Sequence, residues 1–273
     1  MSFLQKYQRL PKIYITLPSQ GKYQPQDNLQ GSFTDIPVFS MSGFDELTLK
    51  TPDALFNGTA TADVIKSCIP TIKDPKKLPT IDIDVCLIAM RIASYGEEIT
   101  MSSKCPHCGT DNDHSCSLTK MLEHYNNLEW QDTVKINELT FHLKPLDYET
   151  STKFNQEQYV YRKQLAADLT GMTEEDKDKF ITEQFKKLAN LQSKTVVSII
   201  DYVEGEGESE SDKQAIIDFI KNSDLLVYST IKSHIEKQNE LWKIPAQQVS
   251  CSECAKEYKL NITFDQSDFF VSA

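Results

Sequence analysis

The sequence predicts an α+β fold: a small antiparallel β centre surrounded by helices, a mainly helical insertion interrupting it, and an extended N-terminal arm. Three observations lead there. Two Cys-x-x-Cys turns, Cys105-Pro106-His107-Cys108-Gly109 and Cys251-Ser252-Glu253-Cys254, are each bounded by strand-like residues. The stretch between them carries helical spacing, and the residues before Asp45 are rich in Pro, Gly, Ser and Gln. Each turn offers two sulfurs from one tight knuckle, and two knuckles complete the tetrahedron of a four-thiolate zinc site, so the β centre is zinc-ribbon-like. Roughly 140 residues separate the turns, against about 15–20 in a compact ribbon, so one structural zinc ion on Cys105, Cys108, Cys251 and Cys254 would clasp a loop holding about half of the protein. The predicted organisation is an arm over 1–44, an α/β core with the zinc ribbon over 45–148 plus 244–273, and a helical insertion over 149–243.

A chain of 273 residues, 39% hydrophobic and 25% charged, can bury a proper core. Its formal net charge of -11 opposes a broad phosphate-binding face, because non-specific nucleic-acid affinity comes from clustered Lys and Arg. An anionic membrane surface is disfavoured for the same reason, so neither nucleic acid nor membrane is an expected partner. The start, Met1 to Gln8, has no apolar run of signal-peptide type, and no segment approaches the length of a bilayer-spanning helix. The expected location is the cytosol in which the chain is made. In that reducing compartment, seven cysteines read as four ligands and three spares rather than a disulfide framework.

Along the arm, Ile13-Tyr14-Ile15-Thr16-Leu17 alternates as a strand and ends in the turn Pro18-Ser19-Gln20-Gly21; the arm is expected as a surface wrapper or a dock for a neighbour. Thr51-Pro52-Asp53-Ala54 opens a short helix with a cap, a first-turn proline and an acid. A second helix runs from about Ala60 to Cys68 and stops at Pro70. Val85 to Tyr95 is apolar nearly all round and meets Gly96 where a cap is wanted, which makes it the core helix of the N-terminal half. Arg91, alone in that run, either pairs with a buried acid or marks a solvent-facing edge. Asp82 and Asp84 read as helix-cap acids, and Cys68 and Cys86 as small buried hydrophobes.

Glu98–Ser103 and Asp113–Leu118 read as strands entering and leaving the first knuckle, and Met121 to Leu128 as a helix. Thr133 to Lys144 alternates about an Asn137-Glu138 break, a hairpin that enlarges the sheet. Thr173-Glu174-Glu175-Asp176 resembles a capping box and opens a long amphipathic helix through Val203. Gly205-Glu206-Gly207-Glu208-Ser209-Glu210 reads as a flexible acidic linker, or alternatively a partner contact. Helices resume over Ser211–Ile220 and from Asp224 to about Lys243, with apolar faces suited to pack on one another or to receive a foreign helix. Tyr258 to Phe264 leaves the second knuckle as a strand. Phe269-Phe270-Val271 is too apolar to dangle in water and is expected to be tied down, on its own chain or on another.

Cys105-Pro106-His107-Cys108 is also the tetrapeptide of strongly oxidising thiol–disulfide catalysts, where a helix start lowers the first thiol's pKa. Here Gly109-Thr110-Asp111-Asn112-Asp113 is turn chemistry, and a second Cys-x-x-Cys is required by a ribbon but unexplained by a redox site. His107, His114 and Cys116 are spare donors. Four thiolates leave the metal no vacancy for water or substrate, which makes it structural rather than a Lewis acid. The chain has no phosphate-cradling glycine loop, no Gly-x-Ser-x-Gly elbow and no helical His pair, so no catalytic residue and no enzyme activity is expected.

Asp45 to Gly58, Val64-Ile65-Lys66-Ser67-Cys68, Asp82-Ile83-Asp84, Ala89 to Gly96 and the first knuckle follow one another in an order that resembles the baseplate hub protein family of T-even-type contractile-tailed bacteriophages. The resemblance runs from the Leu17-Pro18-Ser19 turn to about Leu118 and resumes at the second knuckle and Phe269-Phe270. It implies a non-catalytic tail protein, made in the host cytoplasm, that helps build the baseplate hub and binds other tail and hub proteins. Whether it then stays in the virion baseplate is left open, as is self-association into a homo-oligomer. The alternative is a tail assembly chaperone that binds the tape-measure protein through 149–243 and is absent from the mature virion. A zinc-ribbon nucleic-acid binder would need a basic surface near the knuckles, where Asp111, Asp113, Glu253 and Glu257 lie instead.

Overall fold

Alternating apolar residues make strands of the arm: β1 (Pro11–Ile15) and β2 (Ile36–Phe39) pair antiparallel, with Ile13 opposite Val38 and Ile15 opposite Ile36. The computed structural model describes residues 3, 7–51, 56–166, 173–262 and 269–270, and these form two compact units, Met1–Glu129 with Leu241–Ala273, and Trp130–Glu240. Within the first unit the arm does more than wrap a surface. Ile15, Leu17, Ile36 and Val38 are buried, because a two-stranded sheet with one apolar face needs a layer to cover it.

That layer is a helix from later in the chain. α1 (Gly43–Leu49) opens with a capping box in which the Ser42 hydroxyl accepts the Asp45 N–H at 3.3 Å and the Asp45 carboxylate accepts the Ser42 N–H at 2.7 Å. The helix opening predicted at Thr51-Pro52-Asp53-Ala54 rests on Pro52 to Ala54, outside the described residues. α2 (Thr59–Cys68) and α3 (Thr80–Tyr95) follow, and α3 packs on β1 and β2. Ile81, Ile83, Val85, Leu87, Ile88, Ala89 and Met90 are all buried, as befits a helix with apolar residues on every face.

Arg91 does not mark a solvent-facing edge. It is 3% exposed, its Nη1 donates to Phe269 O at 2.6 Å, and the guanidinium lies 4.6 Å from the centre of the Tyr95 ring. Phe269 and Phe270 are each 4% exposed, so the tail is tied down on its own chain; Val271 lies outside the described residues.

Next come β3 (Glu98–Lys104) and β4 (Asp111–Ser117), paired in unbroken register from Glu98↔Ser117 to Lys104↔Asp111. α4 (Leu118–Asn126) is capped by Ser117 and buries Leu118, Met121 and Tyr125.

In the second unit β5 (Thr133–Ile136) and β6 (Leu139–Leu143) form the hairpin predicted about Asn137-Glu138. This hairpin does not enlarge the ribbon. It belongs to a separate antiparallel sheet of order β5-β6-β7-β8, with β7 (Ile200–Gly205) and β8 (Glu208–Glu210) arriving after two intervening helices. Those helices are α5 (Tyr148–Leu165), capped by Asp147, and α6 (Glu174–Ile199), capped by Thr173 as the sequence predicts, and they pack on each other.

The predicted helix through Val203 ends instead at Ile199, and the predicted linker is the β7–β8 hairpin. Two residues with positive φ, Glu206 (+53°) and Gly207 (+85°), close it as the primed turns of two-residue hairpins require. β-branched Val196, Val197, Ile199, Ile200 and Val203 fit both helical spacing and strand preference, and the turn decides between them. α7 (Lys213–Asn222) and α8 (Leu225–Leu241) complete the unit, with Ile216, Ile220, Ile231 and Ile235 buried.

The chain then re-enters the first unit as β9 (Gln247–Ser250) and β10 (Glu257–Leu260), paired with Val249 opposite Tyr258. Phe264, the predicted end of this strand, lies outside the described residues. Among the described residues no helix is long and apolar enough to cross a membrane.

Candidate metal centre

Each Cys-x-x-Cys forms the tip of an antiparallel hairpin, the first between β3 and β4 and the second between β9 and β10. The two tips share one backbone plan. The Cys105 N–H donates to Thr110 O at 2.9 Å and the Gly109 N–H to Cys105 O at 2.9 Å; the Cys251 N–H donates to Lys256 O at 3.0 Å and the Ala255 N–H to Cys251 O at 3.1 Å. The residue after each second cysteine has positive φ, +77° at Gly109 and +55° at Ala255. Glycine takes that conformation freely, whereas alanine pays for its Cβ.

The tips face each other. The four sulfurs of Cys105, Cys108, Cys251 and Cys254 all lie within 4.8 Å of one another, with Cys105 Sγ 3.8 Å from Cys254 Sγ and Cys108 Sγ 3.5 Å from Cys251 Sγ. A disulfide would need about 2.05 Å. A tetrahedron of zinc–sulfur bonds of about 2.3 Å puts its sulfurs about 3.8 Å apart, so the donor set and its dimensions fit a four-thiolate ion. This quartet can hold a metal ion, and it is the sole such group of His, Cys, Asp or Glu found among the described residues.

Local donors lower two of the four thiols, Cys251 and Cys108, whereas at Cys254 the lowering by the Lys256 N–H is outweighed by burial and the neighbouring sulfurs, which push the thiol up to about 11. The backbone N–H of Cys254, helped by that of Glu253 and opposed by desolvation, pulls the Cys251 thiol down to about 6. The Thr110 hydroxyl, 3.4 Å from Cys108 Sγ, and the Thr110 N–H lower Cys108. The His107 N–H donates to Cys105 Sγ at 3.4 Å. Deprotonated sulfur is the form that binds metal.

Asn112 joins the two knuckles, a role the sequence did not disclose. Only 5% exposed, it accepts the Ser252 N–H and the Ser252 hydroxyl on Oδ1, each at 2.8 Å. Its Nδ2 donates to Thr110 O at 2.9 Å and to Cys251 Sγ at 3.6 Å. The sequence signal was present but misleading: an Asn in a Gly-Thr-Asp-Asn-Asp run reads as local turn chemistry, and its partners lie in the other hairpin. A second link is Tyr258, whose hydroxyl lies 2.8 Å from Ser103 Oγ and 2.9 Å from His114 Nε2.

The spare donors stay outside the quartet. His107 is exposed, with Nε2 3.4 Å from Glu257 O, and His114 is engaged by Tyr258. Cys116, Cys68 and Cys86 are fully buried; burial, with a smaller contribution from Asp45, pushes the Cys68 thiol up to about 12, and burial raises Cys86 as well. Neither is poised to ligate or react. Around the knuckles Asp111, Asp113, Glu253 and Glu257 are exposed.

The family model described as T4 bacteriophage base plate protein matches residues 41–271, a span that contains both knuckles and everything between them. No curated protein and no solved structure matches the chain.

Proposed function

Because this chain belongs to the T4 bacteriophage base plate protein family, we propose that it is a non-enzymatic tail protein, a baseplate hub component or hub assembly factor that holds neighbouring tail proteins. The observation that carries the reading is the family match over 41–271, which takes in both halves of the cysteine quartet. A structural zinc ion on Cys105, Cys108, Cys251 and Cys254 clasps the ribbon. With all four positions taken by thiolate, the ion offers no site for water or substrate, which supports a building role rather than hydrolysis. Partners are other phage tail proteins, met in the host cytoplasm during assembly. The exposed acids beside the knuckles support protein rather than nucleic acid as the partner.

Co-expression with candidate tail proteins, followed by copurification and metal analysis of the complex, tests the reading. A stoichiometric complex carrying one zinc per chain is the expected result, and Cys251→Ser is expected to abolish stoichiometric metal. Unchanged metal in that variant would refute the ligand set. Mass spectrometry of purified particles separates hub component from chaperone, since a chaperone of the tape-measure protein is missing from finished virions. The chaperone reading draws support from the α5–α6 pair, in which Tyr159, Val160 and Phe185 are exposed.

A further inference from the structure

β8 is the edge of the sheet β5-β6-β7-β8, and Glu208, Ser209 and Glu210 are all exposed. In a hairpin closed by a two-residue turn, the closing pair exchanges both main-chain hydrogen bonds and the bonded pairs then alternate. Gly205↔Glu208 and Val203↔Glu210 are therefore the bonded pairs, and at Glu204↔Ser209 the Ser209 N–H and C=O point outward from the sheet. The edge offers a free donor and acceptor at its centre.

Beside this edge lies a cleft of ≈ 280 Å³ lined by Leu139, Val203, Ile216 and Phe219 together with Glu208 and Glu210. Residues directly opposed across a ladder share a face, so Glu210 stands on the same face as Val203, and Glu208 on that face two residues away. On that side Phe219 of α7 lies 6.3 Å from Phe141, ring centre to ring centre, and remains 39% exposed at the cleft. An apolar slot with carboxylates at its mouth suits a side chain that is aliphatic along its stem and cationic at its tip. A short acidic edge also blunts self-pairing of sheets, but blunting needs no apolar cleft beside it.

We infer that β8 and this cleft form a docking groove for an extended, basic segment of another tail protein, which pairs along β8 and inserts an Arg or Lys flanked by apolar residues. Charge complementarity selects the occupant. A chain of net charge -11 is repelled by a second copy of itself, whereas a basic strand meets Glu208 and Glu210 and satisfies Ser209. The choice of a tail protein as partner rests on the function proposed above. The groove itself does not, so the two can fail separately.

Fluorescence anisotropy on the full chain tests the groove, with a labelled short peptide alternating valine and arginine as probe and a valine–glutamate peptide of the same length as control. The valine–arginine peptide is expected to bind and the control not to. Ser209→Pro removes the outward N–H while leaving the bonded pairs to β7, since proline is tolerated at edge positions whose N–H faces solvent. Ser209→Pro and Glu208→Lys are each expected to weaken binding by about tenfold or more, with far-UV circular dichroism and unfolding midpoint retained. Equal binding of both peptides, affinity unchanged in Ser209→Pro, or no binding of the valine–arginine peptide overturns the inference. Should Ser209→Pro disturb the fold, Ser209 N-methylated by semisynthesis provides the same deletion of one donor.

Discussion

Asp82 is fully buried in the first turn of α3, where it accepts the Ser19 N–H at 2.9 Å and the Ser19 hydroxyl at 2.5 Å. Burial pushes its carboxyl up to about 7 against those hydrogen bonds, and burial likewise pushes Asp84 up to about 6 against the Tyr125 hydroxyl. A carboxyl raised in the folded state contributes stability that is complete below its unfolded pKa of about 3.9 and is lost as pH rises through the folded value. For Asp82 that loss is about 4 kcal/mol at most. Asp82→Asn keeps an acceptor oxygen for the Ser19 N–H, turns an NH2 toward the Ser19 hydroxyl, which can accept, and carries no charge, so its stability is expected to fall less than that of the wild type between about pH 5 and pH 8. Parallel curves in urea titrations across that range would show that Asp82 does not carry the dependence. Asn112 makes a different kind of prediction. Asn112→Ala is expected to lose about 10–100-fold in metal affinity, read by competition with a chromophoric chelator. Asn112→Asp should not rescue it, since a carboxylate cannot donate to Cys251 Sγ; full affinity in either variant would remove Asn112 from the clasp. That the four cysteines meet was legible in the sequence because the Cys-x-x-Cys pattern is local and occurs twice. Asn112 was not, because its meaning depends on Ser252, which only folding brings beside it.

The knuckle is the element in which local geometry and metal chemistry meet. Gly109 and Ala255 occupy the same place in its two copies with the same sign of φ, and alanine there is held in a conformation that costs about 1 kcal/mol or more. Ala255→Gly is therefore expected to stabilise the protein by up to about 1 kcal/mol, offset in part by the greater freedom of glycine in the unfolded chain. A lowered unfolding midpoint would mean that the Ala255 methyl makes contacts outweighing the strain. Strands β1, β3 to β6 and β10, and helices α2 to α4 and α6 to α8, were readable from alternation, caps and helical spacing. The β7–β8 hairpin was not. Its acidic, glycine-containing turn has the composition of a linker, and what makes it a turn is its fit to β6: Phe141 pairs with Val203 and Thr140 with Glu204. Pairing with a strand some sixty residues earlier has no signature in the local sequence.

At the scale of the whole molecule, the cysteine quartet lies in the first of the two units, and the zinc proposed for it would bear on the stability of that unit. A structural zinc site contributes on the order of 10–16 kcal/mol, comparable with the roughly 5–15 kcal/mol of a typical domain's entire stability. Chelation is thus expected to abolish hydrogen-exchange protection in β3, β4, β9 and β10 while β5, β6 and β7 keep theirs. Protection unchanged in all of these strands would mean that the ribbon stands without metal. The α+β class, the two cysteine turns, the acidic character and the family likeness follow from the sequence alone, because residue type, spacing and charge are local properties. Tertiary structure alone decided that the arm supplies a sheet to the core, that Arg91 holds the Phe269 carbonyl, and that the hairpin after α4 joins β7 rather than the ribbon. Each of these is a contact between residues far apart in the chain, and which distant partner satisfies a buried polar group or an apolar face is settled only when the chain closes on itself.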